Sequence, residues 1–351
     1  MHDRHGAGMA PGGCGLRAAL WLVVVLVAGC TTPPPSAQIG AERSGLNLIP
    51  RDAHVGIPAE LWPCLEHGPG NAPAIREAAC TERLGTAAYS QPVNGYLLVA
   101  RGLARQSLGD EPGALRDLDE ALRRAPDMEI AYRYRGELHF KAGRMAEAVA
   151  DYDRAVARLP ASTALLVPRA LALTRIGQLE RAMADAEAAV VLDPRSATTL
   201  TTRGIVGARL NRHAAAMRDF DAAIALAPDD VAGRVERAAL RLERGDAAGA
   251  LGDLDAAVRL APRNGGFRLR RGIAHGAAGN LTAALADLDL AVAAGPRDAR
   301  AFHQRAIVQA RRGSRAQALA DAEEAVRLEP SSAVYGETRR LLRSGAAMPG
   351  V

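Results

Sequence analysis

Aromatic residues and lysine are scarce in this sequence. Aromatic side chains make up 3% of the 351 residues while hydrophobic residues make up 48%, so the apolar content is mostly alanine, leucine and valine. That balance favours closely packed helices over aromatic-rich strands. Lys141 is the only lysine among 44 basic residues, an arginine bias that is typical of a GC-rich genome. Because so few aromatic side chains accompany the basic ones, nucleic acid is not an expected partner.

Sequence motifs of catalysis and of metal or cofactor binding are missing as well. The histidines are scattered, and none forms an H-E-x-x-H motif or a pair of ligands at i and i+4. No G-x-S-x-G, P-loop or dinucleotide-binding pattern occurs where a strand could lead into a helix, and no strand is predicted. We therefore predict that the protein is not an enzyme and holds no cofactor and no metal.

The N-terminal segment has the features of a bacterial lipoprotein signal. Residues 16–29 read LRAALWLVVVLVAG, so Arg17 precedes an apolar run that is too short to span a bilayer comfortably. The run ends in Val27-Ala28-Gly29-Cys30, which resembles the bacterial lipobox. This resemblance implies a signal peptide at 1–29 and a lipid on the sulfur of Cys30. An ordinary signal peptide followed by a chance cysteine is the alternative, and Met9 would give a more typical signal length than Met1.

The residues after the lipobox predict an anchored tether in an oxidising compartment. Residues 30–57 are rich in Pro, Ser, Thr and Gly and show no periodicity, which is typical of a flexible linker. Thr31 stands where retention at the inner membrane would call for Asp, so the resemblance to Gram-negative sorting implies the outer membrane, facing the periplasm. Two or three acyl chains on one cysteine would make the membrane a stable partner.

From residue 58 onward the sequence repeats with a period of 34 residues. Prolines stand at positions 58, 92, 126, 160, 194, 228, 262, 296 and 330. A helix–turn–helix unit of this length is the signature of tetratricopeptide repeats (TPRs), and the chain resembles that family from about residue 61. The resemblance implies an all-α fold, a right-handed α-solenoid of helix–turn–helix repeats. We expect a degenerate first repeat at 58–94, seven full units at 95–330, and a capping helix with a frayed C-terminus at 331–351.

Several positions of the repeat recur in all seven full units, which begin at residues 95, 129, 163, 197, 231, 265 and 299. Positions 20 and 27 are always alanine and position 8 is glycine or alanine, so the two helices of a unit are expected to approach closely there. Position 15 is glycine in six units and Asn211 in the other, which predicts a positive φ at the end of each first helix. The proline at position 32 ends each second helix.

Two charged positions are also invariant among the seven units. Position 7 is arginine (Arg101, Arg135, Arg169, Arg203, Arg237, Arg271 and Arg305) and position 23 is aspartate (Asp117, Asp151, Asp185, Asp219, Asp253, Asp287 and Asp321). We interpret them as a ladder of partly buried ion pairs between helices, in which the partner belongs either to the same unit or to the next one. Position 25 is also acidic, but two carboxylates at i and i+2 of a helix point apart and do not suggest a metal site.

Two cysteines fall within the degenerate first repeat. Cys64 and Cys80 occupy its positions 4 and 20, on facing sides of the expected hairpin. Export and the even count favour a disulfide between them, and two buried thiols are the alternative.

The family resemblance also implies where a partner binds. In TPR arrays the first helices line a concave groove, with positions 2, 5, 9, 12 and 13 towards the ligand, so we expect a protein or peptide there. The candidate groove residues at positions 5 and 9 are Val99, Leu103, Arg133, Glu137, Val167, Leu171, Thr201, Ile205, Val235, Leu269, Ile273, His303 and Ile307. Most are aliphatic, which suits an amphipathic helix or an extended apolar peptide, although some could instead pack repeat against repeat. The Lys/Asn clamp that chaperone-binding TPR domains use for a terminal carboxylate is missing.

Positive charge is concentrated near the C-terminus. Residues 299–351 hold nine arginines and five acidic residues. This basic cap could receive an acidic partner or simply be a solvated polar end.

These features predict a lipid-anchored periplasmic TPR scaffold or adaptor that mediates protein–protein interaction in envelope assembly, secretion or cell-wall maintenance. The alternative is a structural subunit or pilotin of one envelope machine, which would co-purify with it in fixed stoichiometry.

Overall fold

The computed structural model of the protein describes residues 61–65, 72–86 and 89–346. The predicted signal peptide, the lipid attachment at Cys30 and the tether lie outside these residues. The described residues form 17 α-helices, and no strand occurs among them. They fall into two compact units, an N-terminal unit of residues 61–236 and a C-terminal unit of residues 237–346.

The helices follow one another at short intervals. Those of the N-terminal unit are α1 (Trp62–Leu65), α2 (Pro73–Gly85), α3 (Gln91–Ser107), α4 (Glu111–Arg124), α5 (Glu129–Lys141), α6 (Met145–Arg158), α7 (Thr163–Arg175), α8 (Leu179–Leu192), α9 (Ala197–Arg209) and α10 (His213–Leu226). Helix α11 (Val231–Glu243) has residues in both units. Those of the C-terminal unit are α12 (Ala247–Leu260), α13 (Gly265–Ala277), α14 (Leu281–Ala294), α15 (Ala299–Arg311), α16 (Arg315–Leu328) and α17 (Ala333–Ser344).

Within each unit, helices that follow one another in the chain pack together. We call the first helix of a repeat the front helix and the second the back helix. In the N-terminal unit the packed pairs are α3–α4, α5–α6, α7–α8 and α9–α10, and in the C-terminal unit they are α13–α14 and α15–α16. Each back helix also contacts the next front helix of its unit, as α6 contacts α7. The all-α, helix–turn–helix fold class predicted from the sequence is therefore confirmed.

The predicted turn chemistry is confirmed at the end of each front helix. Every glycine at position 15 has a φ between 77° and 86°, and Asn211 at the same position has a φ of 59°. A residue without a β-carbon adopts this left-handed backbone freely, and asparagine tolerates it better than most others. The turn therefore reverses the chain at one fixed place in every repeat.

Small residues set the distance between the two helices of a repeat. The alanines at positions 20 and 27 are only 0–4% exposed in all seven full repeats. At position 8, a β-carbon added to Gly204 would lie 2.5 Å from the Cε1 atom of the Phe220 ring, so a larger residue there would force the aromatic side chain to move.

The first hairpin is short and covalently joined. Its front helix α1 has only four residues, and α2 begins at Pro73. A disulfide links Cys64 to Cys80, whose Cα atoms are 4.9 Å apart, and both cysteines are fully buried beside Leu61 and Leu65. The covalent link compensates for the small area that a four-residue helix can bury.

We expect both cysteines to resist alkylation in the urea-unfolded protein until a reductant is added, because a disulfide leaves no free thiol. In the chain-entropy model, the closed loop stabilises the hairpin by roughly 3 kcal/mol, because it restricts the unfolded chain. Mass mapping under non-reducing conditions tests the bond, and urea unfolding of a Cys64→Ala/Cys80→Ala variant tests its contribution. Alkylation of Cys64 and Cys80 in the unfolded protein without a reductant would contradict the disulfide.

Candidate partner-binding face

The invariant arginine and aspartate of each repeat pair with each other inside that repeat. Each position-7 arginine donates from Nε and Nη2 to the two carboxylate oxygens of its own position-23 aspartate, with donor–acceptor distances of 2.5–2.9 Å. The aspartates are only 2–9% exposed. Of the two arrangements that the sequence left open, the structure therefore has the one within the repeat, and the bidentate geometry fixes how the front helix faces its back helix.

A third nitrogen of the same arginine connects neighbouring repeats. Nη1 of Arg135 donates to Asp119, at position 25 of the preceding repeat, over 2.6 Å. The same cross-repeat bond, 2.9 Å long, is present in Arg169–Asp153, Arg271–Asp255 and Arg305–Asp289. The hydrogen bonds to Asp151 and Asp119 raise the pKa of the Arg135 guanidinium, although burial opposes them. This second partner was not predicted from the sequence, although the acidic residue at position 25 of every repeat is a signal for it.

Most of the predicted groove residues at position 5 are buried, which corrects the expectation that they line an open groove. Val99, Val167, Thr201, Val235, Leu269 and His303 are 0–6% exposed. A side chain with so little exposed surface contributes packing and not a contact surface. Only Arg133, at position 5 of the second full repeat, is half-buried.

His303 is a specific case, because the C-terminal helix α17 covers it. It is 1% exposed, its Nε2 lies 3.0 Å from Oγ1 of Thr338, and its ring centroid lies 4.8 Å from that of Tyr335. Its Nδ1 has no hydrogen-bond partner among the described residues. Desolvation lowers the pKa of His303 from 6.5 to about 4, so the imidazole is neutral at pH 7. His303 therefore belongs to the contact between the last repeat and its cap.

The position-9 residues keep more exposed surface than those at position 5. Leu103 is buried, whereas Glu137, Leu171, Ile205, Ile273 and Ile307 are half-buried. On α5, Glu137 accepts a 2.6 Å hydrogen bond from Lys141. Arg133 lies over the Tyr134 ring, with its guanidinium carbon 5.3 Å from the ring centroid. The part of the front face available to a partner is thus the position-9 row, together with the charged and aromatic side chains of α5.

Several arginines of the basic C-terminal segment make contacts within the chain. Nη1 of Arg311 donates to the carbonyl oxygen of Gly276 over 2.6 Å, and Arg315 donates to the carbonyl oxygen of Leu342. Arg343 pairs with Glu323 over 2.6 Å, and Arg340 pairs with Glu337. The contacts of Arg315 and Arg343 join the cap to the last repeat, and only the pairs of Arg340 and Arg343 with glutamates reduce the charge that an acidic partner could meet there.

No group of three or more His, Cys, Asp or Glu side chains among the described residues is arranged to hold a metal ion. None of the helices described is both long enough and apolar enough to span a membrane.

Helix hairpins that repeat in a fixed register and pack on their sequence neighbours define an α-solenoid repeat protein. Two family models, both described as tetratricopeptide repeat, match this chain, one at residues 169–235 and the other at residues 99–163 and 235–299. Because these matches together cover more than half of the sequence, the chain belongs to the tetratricopeptide repeat family. No curated protein matches it at a significant level.

Solved structures share the fold at low sequence identity. A tetratricopeptide repeat protein from Parabacteroides merdae is 21% identical, with a TM-score of 0.58 over 71% of this chain and 98% of its own. Yeast Tom70 is 15% identical, with a TM-score of 0.57 over 92% of this chain and 69% of its own. The matched chain of the APC/C hetero-tetramer Cut9–Hcn1 is 15% identical, with a TM-score of 0.59. The match covers 77% of this chain and 53% of the Cut9–Hcn1 chain.

The family defines a general role. Tetratricopeptide repeats mediate protein–protein interaction or act as scaffolds, bind protein or peptide partners, and are generally not enzymes. The front helices are therefore the part of this molecule where a partner is to be sought.

Proposed function

We propose that this protein is a lipid-anchored adaptor of the bacterial envelope, attached to the outer membrane and facing the periplasm. The lipobox-like Val27-Ala28-Gly29-Cys30, preceded by Arg17 and an apolar run, supports the anchor. The disulfide between Cys64 and Cys80 agrees with this location, because such bonds persist in oxidising compartments and are rare in the cytosol.

The partner in this proposal is a protein segment that lies along the front helices. The observation that carries the binding role is a pair of half-buried aliphatic side chains at position 9 of successive repeats within each unit, Leu171 and Ile205 in the N-terminal unit and Ile273 and Ile307 in the C-terminal unit. Leu171 and Ile273 also pack against apolar clusters of their own units, but all four side chains keep part of their apolar surface in water. An amphipathic helix or an extended apolar peptide would cover that surface.

In this proposal, the lipid anchor keeps the binding face close to the membrane. A partner that meets the repeats near the membrane does so at a high effective concentration, because the tether confines the binding face to a small volume. The chain would thereby recruit envelope proteins of assembly, secretion or cell-wall maintenance without carrying out chemistry itself.

We expect metabolic labelling with palmitate to depend on Cys30. The wild-type chain should incorporate the label and sediment with outer membranes, whereas a Cys30→Ala variant should lose both properties, since the thioether-linked lipid would have no sulfur to attach to. A Cys14→Ala variant is the matched control and should behave as wild type. Labelling that persists without Cys30 would contradict the anchor.

Cross-linking and pull-down from native membranes test the binding face. We expect Ile205→Glu, a half-buried position on α9, to remove partners that the wild type retains, because a carboxylate opposes burial of the apolar row. Val191→Glu, an 81% exposed valine on the back helix α8, is the control. An unchanged partner set in Ile205→Glu would contradict the face, and partners held in fixed stoichiometry would favour a structural subunit or pilotin of one machine.

A further inference from the structure

The turn between front and back helix, positions 12–18 of each repeat, carries charge that does not repeat. We call these residues the turn edge. In the N-terminal unit, the turn edges of residues 140–146, 174–180 and 208–214 hold five basic residues (Lys141, Arg144, Arg175, Arg209 and Arg212) and one acidic residue, Glu180. The turn edge before them, residues 106–112, has only Asp110 and Glu111 as charged residues. Within the N-terminal unit, the basic stretch is thus limited to three successive repeats, and in the C-terminal unit the turn edge of residues 310–316 is also basic.

Two of the basic residues occupy positions that are electrostatically unfavourable for their own helices. Arg144 is the N-cap residue of α6 and Arg212 is the N-cap residue of α10, and neither makes a side-chain capping bond. At the same position in other repeats, the carboxylates of Asp110 and Asp246 accept a hydrogen bond from the backbone of their helices. Replacing such a cap gives up about 1 kcal/mol of helix stability, and a cation at a helix N-terminus opposes the helix dipole. Helix capping therefore explains neither arginine, although Arg144 donates to Nδ1 of His139 over 2.9 Å and pairs with Glu111.

Most of the basic side chains of the three turn edges are accessible to a partner. Arg175, Arg209 and Arg212 are exposed. Within the part of the chain that the structure describes, no carboxylate lies within ion-pair distance of Arg209 or Arg212. Lys141 pairs with Glu137 on its own helix, so its charge is partly compensated.

The turn edges of successive repeats lie side by side. Nη2 of Arg144 is 3.2 Å from Oε1 of Glu111 in the preceding repeat, and the front helices α5, α7 and α9 contact one another in order. The three basic turn edges therefore form one row. Apolar side chains accompany them, since Ile176 next to Arg175 is 37% exposed, and Leu210 next to Arg209 is half-buried.

We propose that this row, on residues 140–146, 174–180 and 208–214, binds an extended acidic peptide whose carboxylates alternate with apolar side chains. Arginine and lysine pair with carboxylates, and the neighbouring Ile176 and Leu210 offer apolar contacts between the charges. The acidic turn edge at residues 106–112 repels such a peptide and sets one limit of the site. This inference rests on the proposed role as an adaptor and names the chemistry of its partner.

Fluorescence anisotropy with a synthetic peptide tests the proposal. The probe is a fluorescein-labelled peptide in which Glu-Leu pairs alternate with Gly-Ser pairs, added to the detergent-solubilised full chain. A variant with Arg175→Glu, Arg209→Glu and Arg212→Glu is compared with a control carrying Arg116→Glu, Arg154→Glu and Arg218→Glu. The control arginines are exposed on back helices, and both variants change the net charge equally.

We expect the turn-edge variant to raise the peptide Kd by at least about tenfold and the control by less than about twofold, with binding weakening as salt is added. A lysine version of the peptide should not bind. Equal losses in the two variants, or no binding of the acidic peptide to the wild type, would overturn the proposal. The proposal would also be overturned if the wild type bound vesicles of anionic phosphatidylglycerol through the same arginines and did not bind the peptide.

The outcome is separable from that of the adaptor proposal. If the pull-down partners depend on Ile205 while the turn-edge variant keeps its full affinity for the acidic peptide, the adaptor role stands and the peptide chemistry assigned to the turn edge is wrong. If Cys30 proves dispensable for membrane attachment, the anchor falls, whereas the peptide measurement is unaffected.

Discussion

Replacing Asp151 by asparagine is expected to destabilise the second full repeat by about 2–3 kcal/mol, because the pair with Arg135 loses a buried charge. The Asp151 side chain is 7% exposed and receives two hydrogen bonds from the guanidinium of Arg135. Asparagine keeps the shape but leaves the cation of Arg135 without its main partner in a poorly solvated place. The Arg135 side chain is 23% exposed, so water recovers part of the loss.

The same arginine provides the matched control. Asp119 also accepts a hydrogen bond from Arg135, but its side chain is 57% exposed. Exposed ion pairs contribute less than about 1 kcal/mol, so Asp119→Asn should have a small effect. Urea unfolding of the intact chain, together with hydrogen exchange of α5 and α6, measures both variants. Equal effects of the two substitutions would show that burial does not decide the strength of these bridges.

Acidification from pH 6.5 to pH 4 is expected to cost the C-terminal unit about 3 kcal/mol through His303 alone. The pKa of His303 is about 4 in the folded protein, against 6.5 for an ordinary histidine. Between pH 6.5 and pH 4, His303 is therefore protonated in the unfolded chain and neutral in the folded chain. The contribution of His303 is complete above pH 6.5 and is lost as the pH falls towards 4, because protonation would charge a ring enclosed by Tyr335 and Thr338.

A variant that cannot titrate isolates this effect from the carboxylates of the chain. His303→Gln retains a donor for Thr338 and should show a smaller loss of stability between pH 6.5 and pH 4 than the wild type. The readout is the urea midpoint at each pH, together with hydrogen exchange of the helix Ala333–Ser344. Identical pH profiles of the two proteins would contradict the role of His303.

The parts of the fold that follow from local rules could be predicted from the sequence. These parts are the helix period, the left-handed turn at position 15 and the alanines at positions 20 and 27. Each depends on contacts within one hairpin, whose residues are close together in the sequence. The second partner of Arg135 could not be predicted in this way, because Asp119 belongs to another repeat and only the stacking of repeats brings it within 2.6 Å.

The candidate face was less predictable than the scaffold. Position 5 is a front-face position by resemblance, but the resemblance does not say how tightly the next repeat covers it, and Val167 and Leu269 turn out to be buried. His303 stands at the same position and is buried because Tyr335 and Thr338 of the cap enclose it. Periodicity alone gives no information on such contacts, since they depend on side-chain volume in the following helix.

The cap has a consequence for the behaviour of the protein in concentrated solution. Helix α17 covers His303, and its Tyr335 and Leu342 are buried in apolar clusters of the last repeat. A solenoid without such a cover offers an adhesive end to which the same end of another molecule can attach. Acidification below the pKa of His303 would loosen this cover, and we expect the turbidity of the acidified solution to increase with protein concentration.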